Sequence, residues 1–208
     1  MLAHYSYGSI TYMIREPTAT TFLLTRHALT VWNAEQRYAG HTEVALAPEA
    51  ELQIRHLTHK LVLEPIGAIY SSPLSRCLLT VSPLAEILGI EIGVDRRLLE
   101  RDLGAWEGRP ASELELEFPG FHFPESAYSG QFVISGSESL DSVAQRTHAV
   151  LEEIAVRHPG TTVLIATHAG IIWAAENMLC QQRMVKRPWP ENSTEVRLVW
   201  NKGELITA

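Results

Sequence analysis

Four side chains, Arg26, His27, Arg76 and His168, stand just beyond short apolar runs, and their types belong together chemically. Two arginines converging on one point suit an oxyanion with several oxygens, because the planar guanidinium fork meets phosphate through paired hydrogen bonds. A neutral histidine nitrogen can attack phosphorus, and a covalent intermediate divides a hydrolysis into two easier steps. The departing oxygen needs a proton, so a carboxyl group should stand close by. Glu100, which lies beyond a short strand expected at Glu91–Val94, is the candidate.

The elements that must bring these residues together are legible as periodicity. Thr21–Thr25, Gly67–Tyr70 and Thr162–Ala166 are apolar runs of strand length. Helical spacing comes next over Glu49–Leu63, over Leu74–Leu88 (opened by Ser72-Pro73), over Ser139–Val156 and over Ala169–Leu179. Glu195–Trp200 and Glu204–Thr207 alternate around Asn201-Lys202-Gly203, which reads as a hairpin. Strands alternating with helices predict an α/β fold, a three-layer α/β/α sandwich with a mostly parallel central sheet. Such sheets bind ligands beyond the carboxyl ends of their strands. Arg26-His27 stands directly after the first run, Ser71-Ser72 after the second with Arg76 a helical turn on, and Thr167-His168-Ala169-Gly170 after the third. Helix N-termini at that edge add N–H donors for an anion.

The bulk properties narrow the field. A chain of 208 residues with 46% hydrophobic and 20% charged residues supports one α/β domain with a real core. A formal charge of −7 disfavours nucleic acid and anionic membranes as partners. Residues 1–19 read as an N-terminal extension, β-rich from Ser9 to Ile14, and 20–208 as a single domain. The first twenty residues hold Arg15, Glu16 and Pro17 rather than a continuous apolar stretch, so no signal peptide or membrane span is expected and a cytoplasmic location follows by default. Cys77 and Cys180 sit in apolar surroundings and read as buried free thiols. His56 and His59, one turn apart, read as a solvated helix face without a third metal ligand, so neither metal nor cofactor is expected. His4, His41, His148 and His158 have no partners that the sequence identifies.

Thr25-Arg26-His27-Ala28-Leu29-Thr30-Val31-Trp32-Asn33 resembles the "RHG…T.WN" signature of the histidine phosphatase superfamily, which includes the phosphoglycerate mutases. Arg37 to Glu43 is similar to the family's next segment, Ser71-Ser72-Pro73-Leu74-Ser75-Arg76 to its "SSPLxR", and Glu100 to Gly108 to its "E…G.WEG". Gly136 to Ser139 resembles its "GES" and Thr167 to Gly170 its second histidine motif. The resemblance implies a phosphoglycerate mutase-like fold with 109–138 as a cap or insert. It implies that His27 attacks phosphorus, that Arg26, Arg76 and His168 hold the phosphoryl oxygens, and that Glu100 serves as acid and then base. Thr30, Asn33, Gly40 and the backbone of Ala169 are implied to line the phosphate or substrate. Glu107, Arg101 and Asp102 are read as structural or network residues, and Trp32 and Trp106 as packing. Alanine replaces the family's glycine after each histidine, at Ala28 and Ala169, which would strain the backbone if either position needed positive φ.

The related mutases use extra cations between their acid and second histidine. From Pro110 to Gln145 this chain has no Lys or Arg, but holds Glu113, Glu115, Glu117, Glu125, Glu138 and Asp141. Leu103 stands where the mutases have a tyrosine. The expectation is therefore a metal-independent phosphatase for a small phosphorylated metabolite whose remainder is neutral, apolar or cationic. A mutase-like phosphotransferase and a non-catalytic phospholigand-binding protein are the alternatives, and a homodimer is left open. The aromatic residues from Phe118 to Phe132 could form a cap core or a substrate wall.

Overall fold

A computed structural model describes residues 2–7, 10–15, 19–180 and 189–207, the first two segments as backbone. Strands β1 (Leu2–Tyr7) and β2 (Ile10–Arg15) pair antiparallel within the expected extension, and Ser9 lies outside the described residues. The chain continues through β3 (Thr20–Arg26), α1 (Val31–Ala34), α2 (Ala50–Leu61), β4 (Ile66–Ser71), α3 (Ser75–Leu88) and β5 (Ile92–Val94). Then come α4 (Ala111–Glu117), α5 (Leu140–Arg157), β6 (Thr162–Thr167), α6 (Ala169–Ala174), β7 (Glu195–Asn201) and β8 (Glu204–Thr207). Six strands form one sheet in the order β5-β4-β6-β3-β7-β8. The pairs β5/β4, β4/β6 and β6/β3 are parallel, while β7 and β8 add an antiparallel edge.

The apolar runs are continuous because both sheet faces are covered. Successive side chains of β3 and β6 point to opposite faces. Phe22, Leu24, Val163 and Ile165 pack with Val150, Leu151 and Ile154 of α5 and with Ile172. Leu23 and Leu164 pack the other way, with Leu57 and Leu61 of α2 and Val81 and Leu84 of α3. These two cores are the outer boundaries of a mostly parallel sheet flanked by helices, as the periodicity predicts. A third cluster packs Tyr38, Leu103 and Trp106 against Leu114, Phe121 and Tyr128 of the segment 109–138.

Two helix boundaries differ from the sequence reading. Ser72-Pro73 does not cap α3: the N-cap residue is Leu74, whose side chain makes no capping bond. Glu43 takes over that role from a distant loop, accepting from the Ser75 N–H at 3.2 Å and the Ser75 hydroxyl at 2.6 Å. The helix expected over Ala169–Leu179 is α-helical only to Ala174, and Ala175–Leu179 form a π turn. No helix among the described residues is long and apolar enough to cross a membrane.

The carboxyl ends of β3, β4 and β6 stay stitched together past their last paired residues. The His27 N–H donates to Thr167 O at 3.0 Å, and the Ser72 N–H to Ala166 O at 2.9 Å. This edge holds the candidate site.

Candidate active site

His27 leaves the end of β3 and is 4% exposed. Its Nδ1 lies 2.8 Å from the carbonyl oxygen of Ala28. A carbonyl only accepts, so Nδ1 carries the proton and Nε2 keeps its lone pair. Burial, then the nearby Arg26 and Arg76 guanidinium groups, hold the His27 imidazolium pKa well below 6.5, which keeps the ring neutral. His168, the N-cap residue of α6, is fully buried, with its ring centroid 5.3 Å from that of His27. Its Nε2 is 2.8 Å from the Ser72 hydroxyl, which explains why Ser72 leaves the helix cap to Glu43. Burial first, and Arg76 next, keep His168 neutral as well.

Two neutral buried histidines have a measurable consequence. The unfolded chain takes up a proton at each near pH 6.5, whereas the native protein does not. Unfolding therefore binds protons below that pH, and stability falls as the pH falls. Each ring contributes a slope of up to about 1.4 kcal/mol per pH unit below pH 6.5. Denaturation midpoints of the wild type should drop more steeply on acidification than those of His27→Ala. Equal slopes would contradict the buried, neutral assignment.

Arg76 enters from the first turn of α3 and is fully buried. Its two terminal nitrogens donate to the carbonyls of Thr42 and Gly40, each at 2.8 Å, and its Nε has no partner. Gly40, implied as a substrate contact, thus acts through its carbonyl on Arg76. Glu107 ties down the same loop: it accepts from the His41 N–H at 2.7 Å and from the Thr42 hydroxyl. That is the structural role expected of it. Arg26 donates to Pro190 O at 2.8 Å, and its Nε is also buried without a partner. Buried guanidinium N–H groups left unpaired are costly, and an anion in the cleft would satisfy them.

Glu100 is 6% exposed and held at both carboxylate oxygens. Oε1 accepts from the Tyr128 hydroxyl at 2.9 Å and the Arg101 N–H at 2.8 Å, and Oε2 from the Gly170 N–H at 3.2 Å. Its own carbonyl accepts from His41 Nε2 at 2.8 Å and Arg146 at 3.0 Å. His41 therefore has a partner that the sequence did not reveal. So does His158, at 2.9 Å from the Tyr70 hydroxyl, while His148 lies 4.0 Å from Glu152. The side chain of His4 lies outside the described residues. Burial, then the Glu100 charge, raise the Tyr128 pKa well above 10, so this phenol remains a donor.

Thr30 and Asn33 form a capping box on α1: Thr30 Oγ1 accepts from the Asn33 N–H, and Asn33 Oδ1 from the Thr30 N–H. Thr30 Oγ1 thus accepts from the helix end, and Thr30 is not among the residues that line the cleft. Asn33 does line the cleft, and its Oδ1 lies 3.3 Å from Asn192 Nδ2, which also donates to His27 O at 2.9 Å. Among the described residues, the non-glycine positions with positive φ are Gln36, Ser193 and Lys202. Ala28 and Ala169 are thus unstrained, and the missing glycines cost the backbone nothing. Glycine is required one position later. A Cβ on Gly170 would overlap Glu100 Oε1 and come within 2.5 Å of the Tyr128 hydroxyl. Gly170→Ala should displace the carboxylate and lower kcat about 100-fold, with little change in inorganic phosphate affinity. An unaffected kcat would show that the position of Glu100 does not matter.

Arg26, His27, Asn33, Glu100 and Ala169 share one cleft with Arg37, Tyr38, Leu103, Phe123, Pro124, Tyr128 and Trp189. Arg76 and His168 back it as fully buried neighbours. The cleft holds about 30 Å³ of open space, room for about one water. A groove of about 940 Å³ between α2 and α3, lined by Ile54, Val62, Leu79 and Ile87, contains none of these residues. Of the aromatic residues from Phe118 to Phe132, Phe121 is buried beside Leu114 and Tyr128, while Phe123 lines the cleft. Among the described residues no three His, Cys, Asp or Glu side chains are grouped to hold a metal ion.

Ser72, Arg37, Tyr128, Trp189, Asn192 and Gly170 escaped the sequence reading as site residues. Only the Thr30-x-x-Asn33 box carried a local signal that could have been read.

Residues 22–203 match the profile of the histidine phosphatase superfamily, branch 1. The chain is 34% identical over 148 residues to Phosphoserine phosphatase 1 of Hydrogenobacter thermophilus, covering 70% of this chain and 69% of that protein. It is 32% identical over 155 residues to Phosphoglycerate mutase-like protein 4 of Arabidopsis thaliana, covering 72% and 66%. Among solved structures, Bacillus stearothermophilus YhfR superposes with a TM-score of 0.77 at 26% identity, over 91% of this chain and 95% of that one.

Proposed function

Since the chain belongs to the histidine phosphatase superfamily, branch 1, we propose that it hydrolyses a small phosphomonoester through a phosphohistidine at His27, without a metal. The observation that carries this reading is the His27 ring, neutral, with Nδ1 protonated towards Ala28 O and Nε2 free beside the fully buried Arg76 and the half-buried Arg26. In the first step Nε2 bonds to phosphorus as the bond to the leaving oxygen breaks, and Glu100 gives its proton to that oxygen. In the second step Glu100 takes a proton from water, whose oxygen attacks phosphorus. The P–N bond breaks, and inorganic phosphate and neutral His27 are released. Arg26, Arg76 and His168 stabilise the charge on the phosphoryl oxygens throughout. Thr30 orders Asn33 through the capping box.

Hydrolysis is favoured over transfer because Arg146 and Arg37, two cations of the described residues, are already engaged within the protein. Arg146, the first cation after the stretch from Pro110 to Gln145, donates to the carbonyls of Arg97, Leu99 and Glu100 and pairs with Glu138. Arg37 is held by Glu35 and by Gly108 O. A relative named a phosphoserine phosphatase agrees with this reading. The mutase reading draws on the Arabidopsis relative's name. A purely binding protein would gain nothing from a buried carboxylate beside the anion pocket. The test is phosphate release from a monophosphate in EDTA, with and without an added bisphosphate. The expected result is one inorganic phosphate per substrate at a rate that the bisphosphate does not raise. A bisphosphate requirement, or phosphoryl transfer to a second substrate, would overturn it.

A further inference from the structure

Beyond the phosphoryl cradle the cleft is lined by rings. Tyr38 and Phe123 form one pair, with centroids 4.9 Å apart, and Tyr128 and Trp189 another, at 4.8 Å. Leu103 and Pro124 complete this wall. Its phenols are already engaged: the Tyr38 hydroxyl donates to Pro124 O at 2.8 Å, and the Tyr128 hydroxyl to Glu100. The indole N–H of Trp189 is different. It is buried and has no hydrogen-bond partner. A buried donor of this kind is normally satisfied, so one left unpaired on a residue that lines the cleft points to an acceptor supplied by a ligand.

We propose that these two ring pairs form the leaving-group subsite, and that it takes an aromatic or heteroaromatic alcohol half carrying one ring acceptor, received by the Trp189 N–H. The proposal rests on the phosphatase reading above and names its substrate class. A flat ring gains from offset or edge contacts with aromatic walls, which a puckered ring of equal size cannot match. Among the described residues, cations beside these rings are already engaged within the protein: Arg37 with Glu35, and Arg101, whose guanidinium carbon stands 5.8 Å from the Tyr128 ring centroid, with the carbonyls of Glu138 and Ala127.

Non-hydrolysable phosphonates test the subsite without requiring turnover. Calorimetric titration would compare benzylphosphonate, its cyclohexylmethyl counterpart, pyridin-3-ylmethylphosphonate and 3-phosphonopropionate, at alkaline pH where the pyridine nitrogen is a free acceptor. The benzyl compound should bind about fivefold tighter than the cyclohexylmethyl one, and the pyridylmethyl compound about fivefold tighter again. Trp189→Phe keeps the first step and removes the second. Equal affinities, tightest binding of 3-phosphonopropionate, or a pyridyl preference that survives Trp189→Phe would each overturn the proposal. Benzyl phosphate turnover separates it from the reading beneath. An intact ranking without any phosphate release would sink only the phosphatase, and release with a flat ranking would sink only the ring subsite.

Discussion

His27→Ala lowers phosphate release by about 10⁴-fold or more, because it removes the atom that bonds to phosphorus. The loss is expected in kcat rather than in affinity. Arg26, Arg76 and His168 are held by their own backbone and side-chain partners, and none of those bonds passes through the His27 ring. Inorganic phosphate should therefore still bind to the variant, as calorimetry can check. The size of the effect separates an enzyme from a binding protein, in which wild type and variant would be equally inert. A residual rate within tenfold of wild type would mean that water attacks phosphorus directly and the histidine is a spectator.

Glu100→Gln has the second largest expected effect, and it depends on the substrate. With an alkyl phosphate the leaving oxygen must be protonated, so the first step slows by about 10²–10⁴-fold. With p-nitrophenyl phosphate the leaving phenolate needs no proton, and that step is nearly spared. The second step still lacks its base. The variant should release one equivalent of p-nitrophenol per site in a burst and then turn over slowly. The amide also loses a hydrogen bond. With its oxygen facing the Tyr128 hydroxyl and the Arg101 N–H, its NH₂ group meets the Gly170 N–H, donor against donor. Equal slowing on both substrates without a burst would reassign Glu100 to a structural role.

The parts of this site that are legible in the sequence are those fixed by periodicity. Phe22 to Thr25 and Val163 to Thr167 had to be buried strands, so Arg26, His27 and His168 had to emerge at one sheet edge. Arg76 is placed by the helix after β4 in the same way. The illegible remainder comes from contacts between segments far apart in the chain. Nothing near Ser72 says that its hydroxyl turns to His168 while Glu43 caps the helix. Tyr128 reaches Glu100 from a short 3₁₀ turn in the cap, a segment with no period to read. The alanines after the two histidines looked like departures because residue type alone does not reveal φ. The position that truly excludes a side chain is Gly170, and it is identified only by how closely Glu100 and Tyr128 approach it.

Phosphorus should pass through the Nε2 atom of one particular ring, and every step proposed for this site depends on that transfer. Rapid quenching during turnover of a ³²P-labelled monophosphate, with peptide mapping under alkaline conditions, reads it directly. The expected result is an acid-labile, base-stable label on the peptide carrying His27, absent from His27→Ala. Label on His168, on a serine or carboxylate, or no label while phosphate is being released, would contradict it.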